Sequence, residues 1–280
     1  MQTLFPSSSA SWSWSRAVTA GLVGIITGFA ACRPQKGPTA KATPPPAEGL
    51  RSQLVAAVVA GDLPVVEALL EQGADVDDRD EVGRTALHHA ALNGHLAIAK
   101  RLIESDADVN ARWLGMGVTP LTIASGSGRA EVAALLLEQG ADVAARDDFL
   151  GETALHAAAR GNHVSTITLL LDHGAEVDAR NLENGGTALH EAAGWGRLEA
   201  VRTLITRGAM IDARRTSNGA TPLHSAVGGE HLAVVESLVE LGADVEVEDY
   251  DGLTSLDWAQ HIGAANIATF LAEAGETAED

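Results

Sequence analysis

The chain has 280 residues, 46% of them hydrophobic and only 4% aromatic, so a core must be built from Ala, Leu and Val. Basic residues number 19 against 38 acidic, and Arg16, Arg33, Lys36 and Lys41 face one acid, Glu48, before residue 50, which leaves 15 basic and 37 acidic residues for 50–280. A body with a net charge of −22 repels phosphate backbones and excludes nucleic-acid binding, and the lone cysteine, Cys32, excludes an intrachain disulfide or a Cys-based metal cluster.

Residues 1–16 are Ser-rich with a single basic residue, Arg16. Residues 17–31, AVTAGLVGIITGFAA, run 15 positions without a charge. A membrane span needs about 20 apolar residues, so the run is too short to cross and fits the apolar middle of a secretory signal. It ends in Phe29-Ala30-Ala31-Cys32. An apolar run closing on small-small-Cys resembles the bacterial lipoprotein signal. That resemblance implies cleavage before Cys32 and acylation of its sulfur and new amino group, several acyl chains holding where one gives marginal binding. Phe29 departs from the Leu usual in that family, and the basic n-region is thin. A plain cleaved signal and an uncleaved anchor are the alternatives. Arg33 in place of Asp after the Cys implies, among Gram-negative lipoproteins, the outer membrane, facing the periplasm. A soluble periplasmic or secreted protein is the other location. The Pro-, Ala-, Thr- and Lys-rich stretch that follows buries little apolar area, so 1–31 is expected to be a signal peptide and 32–49 the lipid-attachment Cys with a disordered linker.

From residue 50 the sequence repeats. Thr-x-Leu recurs at Thr85, Thr119, Thr153, Thr187, Thr221 and Thr254, four times at a spacing of 34 and once at 33. One block reads TALHAAARGNHVSTITLLLDHGAEVDAR, from Thr153. A degenerate copy begins at Ser52 and another closes the chain from Thr254. These blocks resemble the ankyrin repeat, with its T-P-L-H…G-A-D pattern. The resemblance covers about residues 50–275 and implies an all-α solenoid of about seven helix-turn-helix repeats joined by β-hairpin-like fingers. The end copies are expected to be caps, and 276–280 a polar tail. The residues agree. Thr is an N-cap, Pro120 and Pro222 suit the first helical position, and Gly73, Gly140, Gly174, Gly208 and Gly242 suit C′. One repeat cannot bury its own apolar face, but stacked neighbours can.

Ten histidines suggest metal chemistry. His88, His156, His190 and His224 occupy the fourth position of T-x-L-H, where the resemblance implies a bond to the Thr and to backbone. His95, His163 and His231 open second helices. His89, His173 and His261 have no ligand spacing between them. His190-Glu191-Ala192-Ala193-Gly194 lacks the second His of H-E-x-x-H. Ser125-Gly126-Ser127-Gly128 lacks the glycine and the strand of a nucleophile elbow. No catalytic residue, metal site or cofactor is expected, and an enzyme would need an unmarked site.

The unusual residues lie in the fingers. Trp113, Leu114 and Met116 share one, Phe149 and Leu150 the next, Leu182 a third and Tyr250 the last. Large apolar residues in connecting loops call for a reason. In the resembled family the fingers and the exposed ends of the first helices form the concave binding face, where Leu92, Asn93, Arg160, Trp195, His261 and Ile262 fall here. The expected site is a protein-binding strip of Trp113, Leu114, Met116, Phe149, Leu150 and Trp195. Packing of finger against finger is the alternative. The function expected is that of an exported, lipid-anchored scaffold binding a basic partner protein, attached to the membrane only through Cys32 and itself a monomer. An immunity protein that neutralises a secreted toxin is the narrower alternative.

Overall fold

The computed structural model describes residues 46–278. The expected signal peptide, Cys32 and most of the linker lie outside the described residues. Among the described residues, fourteen helices form seven pairs. They are α1 (Pro46–Ala60) with α2 (Leu63–Glu71), α3 (Ala86–Asn93) with α4 (Leu96–Ile103), and α5 (Pro120–Gly126) with α6 (Ala130–Glu138). Next come α7 (Ala154–Arg160) with α8 (Val164–Asp172), and α9 (Ala188–Gly194) with α10 (Leu198–Thr206). Last are α11 (Pro222–Gly228) with α12 (Leu232–Glu240), and α13 (Ser255–Ile262) with α14 (Ala265–Ala278). None of the described residues forms a strand.

The T-x-L-H motif builds both the helix start and the link to the next repeat. Thr119, Thr221 and Thr254 each accept the N3 amide at their side-chain oxygen, and Pro120 and Pro222 lead their helices where no N–H is needed. The Thr153 and Thr187 amides donate to Nδ1 of His156 (3.3 Å) and His190 (3.1 Å). That bond makes Nδ1 the acceptor and puts the proton on Nε2. Nε2 of His88, His156, His190 and His224 then donates, at 3.1–3.2 Å, to the carbonyls of Val118, Gly186, Ala220 and Leu253 in the following repeat. Burial lowers the pKa of all four rings, that of His88 to about 4. Asp257 replaces the His in the last copy. Its carboxylate still accepts from the Thr254 amide (2.8 Å), but it has no second nitrogen to extend onward. This suits a terminal repeat.

The core runs unbroken along the stack. Leu87, Leu121, Leu155, Leu189 and Leu223, each two residues after its Thr, are at most 1% exposed. Alanines of the first helices and Ile98, Leu136, Leu170, Leu204 and Leu238 of the second helices fill the rest. Small residues let the first helices touch: a Cβ on Gly126 would lie 3.3 Å from Ala157 Cβ. Second helices end in a left-handed residue, Gly140 at φ 84° being typical. The second repeat has Asp106 there at φ 67°.

Three boundaries differ from expectation. Helix α1 begins at Pro46, inside the expected linker and ahead of Ser52, the expected start of the first copy. Helix α14 runs to Ala278, through most of the expected tail. The fingers are closed by a single backbone pair each, such as Asp147 N to Glu152 O at 3.0 Å, too short for a strand ladder.

Leu155→Ala should cost about 2–5 kcal/mol in denaturant melts, the range for truncating a buried leucine. Asp106→Gly relieves a left-handed non-glycine and should raise stability, by up to about 1 kcal/mol. Because the four buried histidines are neutral in the fold, their stabilisation is present above their ordinary pKa and is lost as pH falls below 6.5, for His88 through about 4. The denaturant midpoint should drop between pH 7 and pH 4.5; an unchanged midpoint would contradict this account.

Candidate functional site

The fingers are held by arginines that close the repeated blocks. Arg79 donates to Arg112 O (2.6 Å), Arg112 to Arg146 O (2.8 Å), Arg146 to Arg180 O (2.6 Å) and Arg180 to Arg214 O (2.5 Å). Arg214 donates to Glu248 O (2.6 Å), where the series ends because Glu248 has no donor to offer. Fingers 1 to 6 begin at Arg79, Arg112, Arg146, Arg180, Arg214 and Glu248. The next residue in most fingers is an acid or amide that turns the tip. Asp147 is typical: Oδ1 accepts from Phe149 N (2.8 Å) and Leu150 N (2.7 Å), and Oδ2 from Glu152 N (2.9 Å). Asp80, Asn181 and Asp249 do the same. Tip amides then bond the preceding finger, Leu182 N to Leu150 O at 2.8 Å and Tyr250 N to Asn218 O at 2.8 Å. The fingers are therefore one hydrogen-bonded row.

The structure divides the expected strip. Leu114 (61% exposed) and Phe149 (58%) stand open at their tips. They share the row with Leu182 (76%), Tyr250 (61%) and Val82 (48%). Leu150 corrects the expectation. It is buried at 4%, because the turn around Asp147 folds it inward and finger 4 bonds across its carbonyl. Trp113 is half-buried against the core rather than free: its indole N–H donates to Val82 O (2.6 Å), and the Arg84 guanidinium lies 5.1 Å from its ring centre. Met116 is half-buried, with its carbonyl accepting from Asp148 N (2.9 Å). Trp195, also half-buried, caps the end of α9 and is not in the finger row. Finger packing thus accounts for Trp113, Met116 and Leu150, and leaves Leu114 and Phe149 exposed. Val82 and the arginine series escaped the sequence reading, although the recurring final Arg of the blocks announced the series.

A buried charged network lies behind finger 3. Arg160, at the end of α7, is bonded to Glu152 and, through Nε at 3.1 Å, to Glu191 of α9. Two carboxylates share one guanidinium there. Burial pushes Glu152 up to about 7, against the pull of Arg160. Burial also opposes charge on Glu191, but Arg160 and Arg215 outweigh it and hold its pKa below the ordinary value. Among the described residues no group of three His, Cys, Asp or Glu could hold a metal ion, and no helix is long and apolar enough to cross a membrane.

A family model described as ankyrin repeats (3 copies) matches residues 54–147, 145–215 and 210–279. The crystal structure of the human ASB11 ankyrin repeat domain is similar to this fold, with a TM-score of 0.67 and 31% identity over 75% of this chain and 92% of that one. Protein phosphatase 1 regulatory subunit 27 of Homo sapiens is 46% identical over 55 residues, 20% of this chain and 36% of that protein. Palmitoyltransferase akr1 of Schizosaccharomyces pombe is 50% identical over 52 residues, 18% of this chain and 8% of that protein. The matched segments span well under half of these curated relatives.

The network has a measurable signature. A carboxyl whose folded pKa is raised destabilises the fold once ionised, so this contribution to stability declines as pH rises through about 7. Glu152→Gln keeps the protonated shape. It should leave stability at pH 4 little changed and flatten the decline between about pH 4.5 and pH 7 in denaturant melts.

Proposed function

The chain belongs to the ankyrin repeat family, and on that premise we propose that it is an exported, lipid-anchored scaffold that docks a basic partner protein across its finger tips. The observation that carries the docking surface is the row of open apolar tips, four of the five beside an exposed acid: Val82 with Glu81, Phe149 with Asp148, Leu182 with Glu183, Tyr250 with Asp251, and Leu114 without one. Apolar anchors supply affinity, and the carboxylates supply steering and a polar rim. The underlying hydrogen bonds hold the tips in place before a partner arrives, which lowers the ordering cost of binding. Export and anchoring rest on the apolar run and Cys32, the acidic body having no charge affinity for anionic lipid. By the resemblance to Gram-negative lipoprotein signals, Arg33 beside that cysteine favours the outer membrane, facing the periplasm.

Crosslinking and pull-down from envelope fractions should capture the partner. Leu114→Ala and Phe149→Ala should each weaken it by about 1–4 kcal/mol, the range for anchor truncation, with Glu138→Ala on the exposed second-helix surface as control. Unchanged affinity in both finger variants would refute the docking surface. Metabolic labelling with a fatty-acid probe should mark the wild type and not Cys32→Ala. Equal labelling, or none in either, would refute the anchor.

A further inference from the structure

Asn is followed by Gly at three places, Asn93, Asn184 and Asn218. In such a pair the main chain can attack the side chain, because glycine has no Cβ to shield its amide nitrogen. The three pairs differ in how their reacting atoms are held. At the end of α3, Asn93 Nδ2 donates to His89 O (2.8 Å) and Gly94 N to Ala90 O (3.0 Å), so leaving group and nucleophile are both tied. In finger 5, Asn218 Oδ1 accepts from Ala220 N (3.2 Å), but Gly219 N is tied to Arg215 O (3.0 Å). Fingers 1 and 2 tie the matching glycine amide in the same way, Gly83 N to Asp80 O and Gly117 N to Trp113 O. Finger 4 does not: among the described residues Gly185 N meets no acceptor, and neither does Asn184 Nδ2. Asn184 Oδ1 accepts from Gly186 N (2.9 Å), a turn that spans Gly185 and folds the carboxamide back toward its nitrogen. Asn184 is half-exposed. Gly185 is buried, but the atoms nearest to where its Cβ would stand all belong to Thr216, an exposed residue.

We propose that Asn184 is a site of spontaneous deamidation, and that its product uncouples the tip of finger 5 from finger 4. Gly185 N gives its proton to hydroxide and attacks Cγ of Asn184. The new N–Cγ bond closes a five-membered imide, the Cγ–Nδ2 bond breaks, and Nδ2 takes a proton from water and leaves as ammonia. Water then opens the imide at either carbonyl, giving aspartate or isoaspartate. The free Gly185 nitrogen is already beside its target, and the Gly186 N–H at Oδ1 stabilises the oxyanion that forms during attack. Both products add a negative charge to the finger row. Isoaspartate does more, because the main chain then runs through Cγ and the former backbone carbonyl becomes a free carboxylate. That carbonyl is the one that accepts from Ser217 N (3.2 Å) and Thr216 Oγ1 (3.3 Å), the contacts that seat the tip of finger 5 on finger 4. The reaction needs no partner and stands apart from the docking reading.

The test holds the full-length protein at pH 8 and 37 °C, and follows the three Asn-Gly peptides by mass spectrometry for the gain of about one mass unit, with fragmentation separating aspartate from isoaspartate. The same peptides from protein kept in guanidinium chloride give the rate of the unrestrained chain. Folding should slow residues 93 and 218 at least tenfold and residue 184 less than threefold. Equal slowing at all three, or no product at 184, overturns the proposal. The isoaspartate form, separated by anion exchange, should exchange its Ser217 amide at least tenfold faster than fresh protein. Asn184→Asp, which adds the charge and keeps the main chain, should leave Ser217 protected. Unchanged Ser217 exchange in the isoaspartate form, or equal loss of protection in Asn184→Asp, overturns the uncoupling.

Discussion

Many buried groups in this stack are satisfied not within their own repeat but by the neighbouring copy, about 30 to 37 residues away. The T-x-L-H histidine takes the amide of its own threonine and gives its second proton to the next loop. The finger arginine reaches the backbone carbonyl of the next finger arginine. Acidic side chains below the fingers do likewise, Asp178 accepting from Met210 N at 3.1 Å and Asp212 from Asp244 N at 3.2 Å. An unmade buried hydrogen bond costs more than a made one contributes, so these links fix the spacing of the stack. The same links place the finger tips in one row.

Where a repeat departs from the shared pattern, something other than stacking occupies the position. Trp113 stands where other fingers use Asp or Asn to turn the tip, and it braces finger 1 through Val82. Glu152 and Arg160 introduce a buried ion network between the fourth and fifth copies. Gly186 and Arg215 leave two donors open beside that network. The departures fall in fingers 2 to 5, in the middle of the row, the region where a docked partner would meet the most neighbours.

The fold was legible because the period repeats its own evidence: Thr, Leu, His and Gly recur at fixed offsets, and each has a single physical role at its offset. The site was legible only by element. Apolar residues in the fingers marked those fingers as unusual, and Leu114 and Phe149 are open. Exposure within a finger depends on the turn, and Asp147 sends the two adjacent residues Phe149 and Leu150 to opposite fates. Composition carries no trace of that. The start of α1 at Pro46 was equally hidden, since a Pro- and Ala-rich stretch reads as linker until packing recruits it.

The account depends most on the fingers being a single hydrogen-bonded row. Native-state hydrogen exchange of the tip amides of Leu114, Asp148, Leu182, Ser217 and Tyr250 tests this directly, since each donates to the finger before it. In the wild type these amides should exchange slowly, at rates similar to one another. Arg146→Gln, which removes the link between fingers 3 and 4, should speed exchange at Asp148 and Leu182 while leaving Tyr250 protected. Fast exchange at all five in the wild type would show that the fingers move independently, and would contradict the account.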